Sequence, residues 1–149
     1  MKFLGLDVGN RRVGIAFGDS EIRLATPVDV FARGTIAQDV SVVGKYVHEY
    51  DVARLIVGMP RNMDGTHGEQ AEAVTRYAER VAGALNLPLI FWDERLTTVE
   101  AARRTQEIDG PRLAARGARR TRKSRIELDA IAAAVILQDY IDNGGDWGE

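Results

Sequence analysis

The chain has no cysteine, which excludes disulfides, thiolate zinc centres and cysteine nucleophiles. It has only two histidines, His48 and His67, with no second imidazole at ligand spacing. His48 reads as helix surface and His67 as lying near a helix start, so neither is expected to do chemistry. Aromatic residues make up 7% of the chain, and none is interleaved with its basic stretch, so a base-stacking platform is not expected. No apolar run reaches the roughly 18 residues that a membrane-spanning helix needs. Asp7 arrives too early for a secretory apolar core. The expectation is a cytoplasmic protein with no membrane association. There is no internal repeat, low-complexity segment or linker, and 149 residues are expected to form a single domain, 1–149, large enough to bury a real core.

What is present is carboxylate in apolar company. Asp7 ends the run Lys2-Phe3-Leu4-Gly5-Leu6, and Asp93-Glu94 ends the run Leu87-Pro88-Leu89-Ile90-Phe91-Trp92. Asp129 stands within Ile126-Glu127-Leu128-Asp129-Ala130-Ile131-Ala132-Ala133-Ala134. A buried charge is costly unless something compensates it. Hard oxygen ligands at converging strand ends suit Mg²⁺ or Mn²⁺, and that combination suits phosphodiester chemistry.

A net charge of −2 does not by itself announce a nucleic-acid binder, but its distribution is uneven. Between Pro111 and Ile126 stand Arg112, Arg116, Arg119, Arg120, Arg122, Lys123 and Arg125, with no acid among them. Such a segment can contact a phosphate backbone on a protein of unremarkable net charge. A solvated charged face is the plainer alternative.

Apolar periodicity predicts a strand from Phe3 to Val8, a turn at Gly9-Asn10-Arg11, and an antiparallel strand from Val13 to Gly18. Ala25 to Val30 is expected to be an edge strand because Pro27 argues against a central place. A helix is expected over roughly 35–50, a short strand over Arg54–Gly58, and a helix through Ala71, Val74, Ala78, Val81 and Leu85. A strand from Leu89 to Trp92, a helix capped by Thr97 or Thr98, and a last helix from about Ser124 to Asp142 follow. The order implies an α/β fold with a mixed sheet, helices on its faces and right-handed parallel crossovers. Ligands gather at the carboxyl ends of such strands, where Asp7, the Met59–Gly68 loop and Asp93-Glu94 fall.

Around these acids other residues are suited to substrate. Gly9 lets the backbone turn closely, and Arg11 or Arg12 can hold a phosphate. Gly14 leaves the sheet face above Asp7 open. Asn62 and Thr66 are polar groups at a strand end. Thr97 or Thr98 at a helix N-terminus offers N–H groups to an anion, and Arg95 stands between them and the acids. The strand before it reads as central and buried on both faces, so alternation does not choose between Asp93 and Glu94. The small side chains Ala132-Ala133-Ala134 permit close helix-on-sheet packing, which would bring Asp129 over Asp7.

Four stretches, in this order and almost end to end, resemble the YqgF/RuvX family, Holliday-junction resolvase-like proteins also described as pre-16S rRNA nucleases. They are Gly5-Leu6-Asp7-Val8-Gly9-Asn10-Arg11-Arg12-Val13-Gly14-Ile15-Ala16, Val57-Gly58-Met59-Pro60-Arg61-Asn62-Met63-Asp64-Gly65, Asp93-Glu94-Arg95-Leu96-Thr97-Thr98 and Asp129-Ala130-Ile131-Ala132-Ala133. The resemblance implies a ribonuclease-H-like fold with a five-stranded mixed sheet flanked by helices. It implies a metal-dependent nuclease that matures the 5′ end of 16S rRNA, with Asp7, Glu94 (or Asp93) and Asp129 as the acidic site holding Mg²⁺ or Mn²⁺. Expected partners are structured RNA or branched DNA, met by a monomer or homodimer. A four-way-junction resolvase, which would need a dimer, and a non-catalytic nucleic-acid-binding factor are the competing functions. A nucleotide-binding ATPase also starts with Asp-x-Gly after a strand, but 149 residues supply only one lobe of such a protein.

Overall fold

The structure is a computed structural model that describes residues 1–60, 68–93 and 128–144. The first apolar run forms β1 (Lys2–Val8), which reverses into β2 (Arg12–Asp19) and then β3 (Leu24–Ala32). These three strands are antiparallel neighbours. Helix α1 (Ile36–Tyr50) leads to β4 (Arg54–Met59), and helix α2 (Glu69–Leu85) leads to β5 (Leu89–Asp93). A last helix, α3, covers residues 128–143. β4 runs parallel to β1, and β5 parallel to β4. The result is a five-stranded mixed sheet in the order β3-β2-β1-β4-β5, with helices on both faces.

Local sequence explains the element ends. Thr35 caps α1 and exchanges hydrogen bonds with Gln38 in a reciprocal capping box, which satisfies two otherwise orphaned groups. The two crossover helices stop on Asp51 and Asn86, at φ 55° and 56°. Short polar side chains tolerate that left-handed turn. β3 is longer than the expected Ala25–Val30 and lies at the sheet edge. Pro27 sits where the pairing with β2 shifts register, between Ile15 and Ala16, a place where a residue without an N–H is tolerated.

Alternation along the strands divides the core in two. Leu4, Leu6, Val8, Val13, Ile15, Leu55 and Val57 pack with Val43 of α1 and with Val74, Tyr77, Ala78 and Val81 of α2. On the other face Phe3, Ala16 and Ile56 pack with Ala133, Leu137, Tyr140 and Ile141 of α3. Tyr140 meets Phe3 and Trp92 edge-on, at 5.3 and 5.5 Å between ring centroids. Trp92 Nε1 donates to Asp139 Oδ2 at 2.6 Å, tying β5 to the same helix. No helix among the described residues is long and apolar enough to cross a membrane.

The α3 face of the sheet is floored with glycine. A β-carbon at Gly5 would lie 2.9 Å from Leu137 Cβ, and one at Gly58 2.6 Å from Ile136 Cδ1. One at Gly18 would meet Leu137 and Ile141 at 2.8 Å, and one at Gly14 would lie 2.1 Å from the carbonyl oxygen of Asp129. The helix therefore rests on the backbone of β2 at Gly14 rather than on side chains. Because a clash with backbone cannot be relieved by a rotamer change, Gly14→Ala should cost about 3 kcal/mol or more in urea unfolding. Gly83 of α2 has nothing within 4 Å of the same construction, so Gly83→Ala should gain about 0.5–1 kcal/mol from helix propensity. Equal stabilities for the two variants would mean that α3 does not rest on this floor.

Candidate active site

Asp7 is the penultimate residue of β1 and shares its face with Phe3 and Gly5, so it lies on the α3 side, only 8% exposed. Its cross-strand partner is Gly14, the residue on which the backbone of Asp129 rests. Asp129 is 9% exposed. Arg12 opens β2 two residues before Gly14 and so lies on the same face. Its Nε donates to Asp129 Oδ2 at 2.8 Å, with side-chain exposures of 38% for the arginine and 12% for the aspartate. The packing of α3 on Gly14 thus brings Asp7, Arg12 and Asp129 to one place, at the carboxyl end of β1. β4 and β5 finish at the same end, where Met59 pairs with Asp93.

Asp93 is not part of that group. Leu89 and Phe91 of β5 pack against the α1–α2 core, and Asp93 follows them by alternation. Its partner Met59 faces α2, with Sδ 4.0 Å from Thr75 Oγ1. The two acids of the Asp93-Glu94 pair had no distinguishing geometry on the premise of a central strand. β5 is instead an edge strand, half-buried along its length, and Asp93 stands on the face opposite Asp7. Arg11 lies exposed in the β1–β2 turn. Asn62, Glu94, Arg95, Thr97, Arg119, Arg120, Arg122 and Lys123 lie outside the described residues, as does His67. His48 is on the exposed face of α1. Among the described residues no three His, Asp or Glu side chains stand close enough to hold a metal ion.

The turn that carries Arg11 and Arg12 is held by Gly9 and by three residues that sequence reasoning did not single out, Arg33, Tyr77 and Asp39. Gly9 N–H donates to the Arg12 carbonyl at 2.8 Å, and a β-carbon at Gly9 would meet that same oxygen at 2.9 Å. Its lack of a side chain serves the closure of the hairpin. Arg33 donates from its backbone to the Arg11 carbonyl at 2.8 Å and from Nη1 to the Gly9 carbonyl at 2.9 Å. Its guanidinium stacks 4.3 Å over the Tyr77 ring. Tyr77 Oη donates to Asp39 Oδ2 at 2.8 Å, and Gly34 N–H donates to Asp39 Oδ1 at 2.9 Å. Asp39 is 2% exposed. The signal available was its place three residues after Ile36 and four before Val43, on the apolar face of α1.

Burial, reinforced by the hydrogen bond to Asp39, pushes the Tyr77 hydroxyl well above its ordinary pKa of 10.0. A group raised in the folded state adds stability that is complete below the unfolded value and is lost as pH climbs through the folded one. Tyr77→Phe should therefore lose about 1–2 kcal/mol at neutral pH by leaving Asp39 a donor short, and should unfold with a shallower loss of stability above pH 10. A residual alkaline slope should persist from Tyr46, pushed up to about 12 chiefly by its hydrogen bond to Asp29. Denaturation series at several pH values test both statements.

The mixed five-stranded sheet, with an antiparallel hairpin at its start and parallel crossovers after it, defines a ribonuclease-H-like fold. Two solved structures share it: Thermus thermophilus RuvC in complex with a Holliday junction substrate, at TM-score 0.55 and 14% identity over 97% of each chain, and fowlpox virus resolvase in complex with substrate Holliday junction DNA, at TM-score 0.52 and 8% identity over 98% of this chain and 100% of that one. At such identities the likeness is one of fold. Sequence relatives are nearer. A protein of Desulforamulus reducens is 40% identical over 144 residues, 97% of this chain and 98% of its own. One of Moorella thermoacetica is 39% identical over 148 residues, 99% of each. Both are named as candidate pre-16S rRNA nucleases. The sequence profile of the RuvX family, described as Holliday junction resolvase, matches residues 1–143, and the chain belongs to that family.

Proposed function

We propose that this chain is a divalent-metal-dependent nuclease that hydrolyses phosphodiester bonds in maturing the 5′ end of pre-16S rRNA, as one domain acting in the cytoplasm. The observation that carries the reading is the pair of buried carboxylates, Asp7 and Asp129, set on one side of the sheet at the carboxyl end of β1. Relatives about 40% identical over nearly their whole length support the choice of substrate.

The donors fit a hard cation. Asp7 and Asp129 offer hard carboxylate oxygens in surroundings poor in water, the donor type that Mg²⁺ and Mn²⁺ prefer. Glu94 is the third proposed ligand, because its neighbour Asp93 stands on the opposite sheet face. Bound Mg²⁺ or Mn²⁺ would supply Lewis acidity, which eases loss of a proton from the attacking water and neutralises charge on the leaving oxygen. The chain's own contribution is position. β1 and α3 fix the two buried acids relative to each other, and the apolar floor beneath α3 keeps bulk water from them. Arg11 and Arg12 are proposed to hold phosphate beside the site, with Asn62, Arg95 and Thr97 orienting the strand. Arg119, Arg120, Arg122 and Lys123 are proposed to grip the nucleic-acid backbone further along.

The decisive experiment is cleavage of a labelled 16S rRNA precursor by wild type and Asp7→Asn, with Mg²⁺ or Mn²⁺ and with EDTA. Cutting is expected only with wild type and metal. Equal cutting by Asp7→Asn would reject the site, and binding without cutting would favour a non-catalytic factor. The family's description as Holliday junction resolvase supports a second substrate, four-way DNA. In the same assay preferential, symmetric cutting of that DNA would replace the rRNA reading and would call for a dimer. Replacing Arg119, Arg120 and Arg122 together by alanine should flatten the dependence of log affinity on log salt by about 2–3. An unchanged slope would remove the segment from the interface.

A further inference from the structure

Asp129 is assigned two cations. The metal-dependent reading above, on which this inference rests, gives it a divalent ion, while its Oδ2 is already engaged by Arg12 at 2.8 Å. Mg²⁺ takes oxygen ligands at about 2.0–2.1 Å and carries a double charge. A guanidinium held on the same carboxylate group repels it. Arg12 is also poorly fastened for a permanent partner. It reaches Asp129 through Nε alone rather than through the two-pronged face of the guanidinium, and its side chain is 38% exposed, so it has somewhere to go.

We propose that Arg12 is a built-in competitor of the divalent cation. In the metal-free protein it neutralises Asp129 and clips α3 to the hairpin. Entry of the ion displaces it from Asp129 toward solvent, where its guanidinium becomes available to a substrate phosphate. The buried acid is compensated in both states, first by arginine and then by metal, so it is never exposed to the cost of a lone charge in apolar surroundings. By linkage, anything that draws Arg12 away, such as a phosphodiester backbone, raises the affinity for the ion by the same factor that the ion raises affinity for it. The site is thereby charged with metal preferentially when substrate is present.

The probe is Mn²⁺ alone, with free ion followed by paramagnetic resonance or heat of binding by calorimetry, and no nucleic acid. Arg12→Ala is expected to bind Mn²⁺ about tenfold more tightly than wild type, a difference of about 1.4 kcal/mol, and Arg12→Lys to fall between them. The gain should vanish when Asp129→Asn is added. In EDTA the Arg12→Ala protein should melt below wild type, and saturating Mn²⁺ should close most of that gap, because the bond it lacks is absent from the loaded wild type too. Arg12→Lys keeps a cation and an aliphatic stem at the position, and carries the same comparison if the alanine variant does not fold. Equal or weaker Mn²⁺ binding by the Arg12 variants, with binding still lost in Asp7→Asn, would overturn the competition while leaving the metal site in place. Failure of wild type and every variant to bind Mn²⁺ would overturn both.

Discussion

The contact on which the rest of the molecule depends is the seat of α3 on Gly14. A sheet normally meets a helix through interdigitated side chains, which hold the two backbones apart. Here the carbonyl of Asp129 stands where a β-carbon of residue 14 would be. That approach is what carries an acidic side chain from the far end of the sequence to the end of β1. The small residues beneath and within the interface, Gly5, Gly18 and Gly58 in the strands and Ala133 in the helix, extend it along the sheet. A side chain at Gly14, where it would meet backbone, would lift the helix and separate the acids.

The close seat creates an electrostatic problem that the fold answers locally. Two carboxylates, each less than a tenth exposed, are held on one face. The ion pair with Arg12 is of the partly buried kind, in which desolvation offsets much of the attraction, so it is weak evidence for stability. Its geometric effect is plainer, since it ties the start of α3 to the start of β2. The opposite face handles charge differently. Asp39 is satisfied by a phenol and a backbone N–H, and the arginine above that phenol braces the turn from which Arg12 departs. The two faces of the sheet therefore meet at one hairpin, an acidic layer on one side and a supporting network on the other.

Most of the architecture was legible because it was written in apolar periodicity. The hairpin, both crossovers and the edge place of β3 follow from residues such as Val40, Val43, Val74, Val81 and Pro27. Asp7 stood out because an acid ends a wholly apolar run, and Asp129 because its neighbours are alanine and isoleucine. Other features needed the third dimension. The rank of β5 as an edge strand depends on sheet order, which periodicity does not encode, and so the face of Asp93 was not readable. Arg12 read as a phosphate ligand, since nothing local connects it to an acid 117 residues away. The Arg33–Tyr77–Asp39 network joins three separate elements, and only Asp39 carried a local hint, an acid among valines.

That separation of 117 residues between Arg12 and Asp129 has a consequence for a protein made from one end to the other. A nascent chain that has emerged through β5 already contains the hairpin, both crossover helices and Asp7. It lacks the helix that covers the glycine floor and brings the second acid. Until α3 is released and docks, the growing polypeptide has half of its acidic pair, and one apolar sheet face stands bare. The paired acids and the completed fold thus arrive in the same late event.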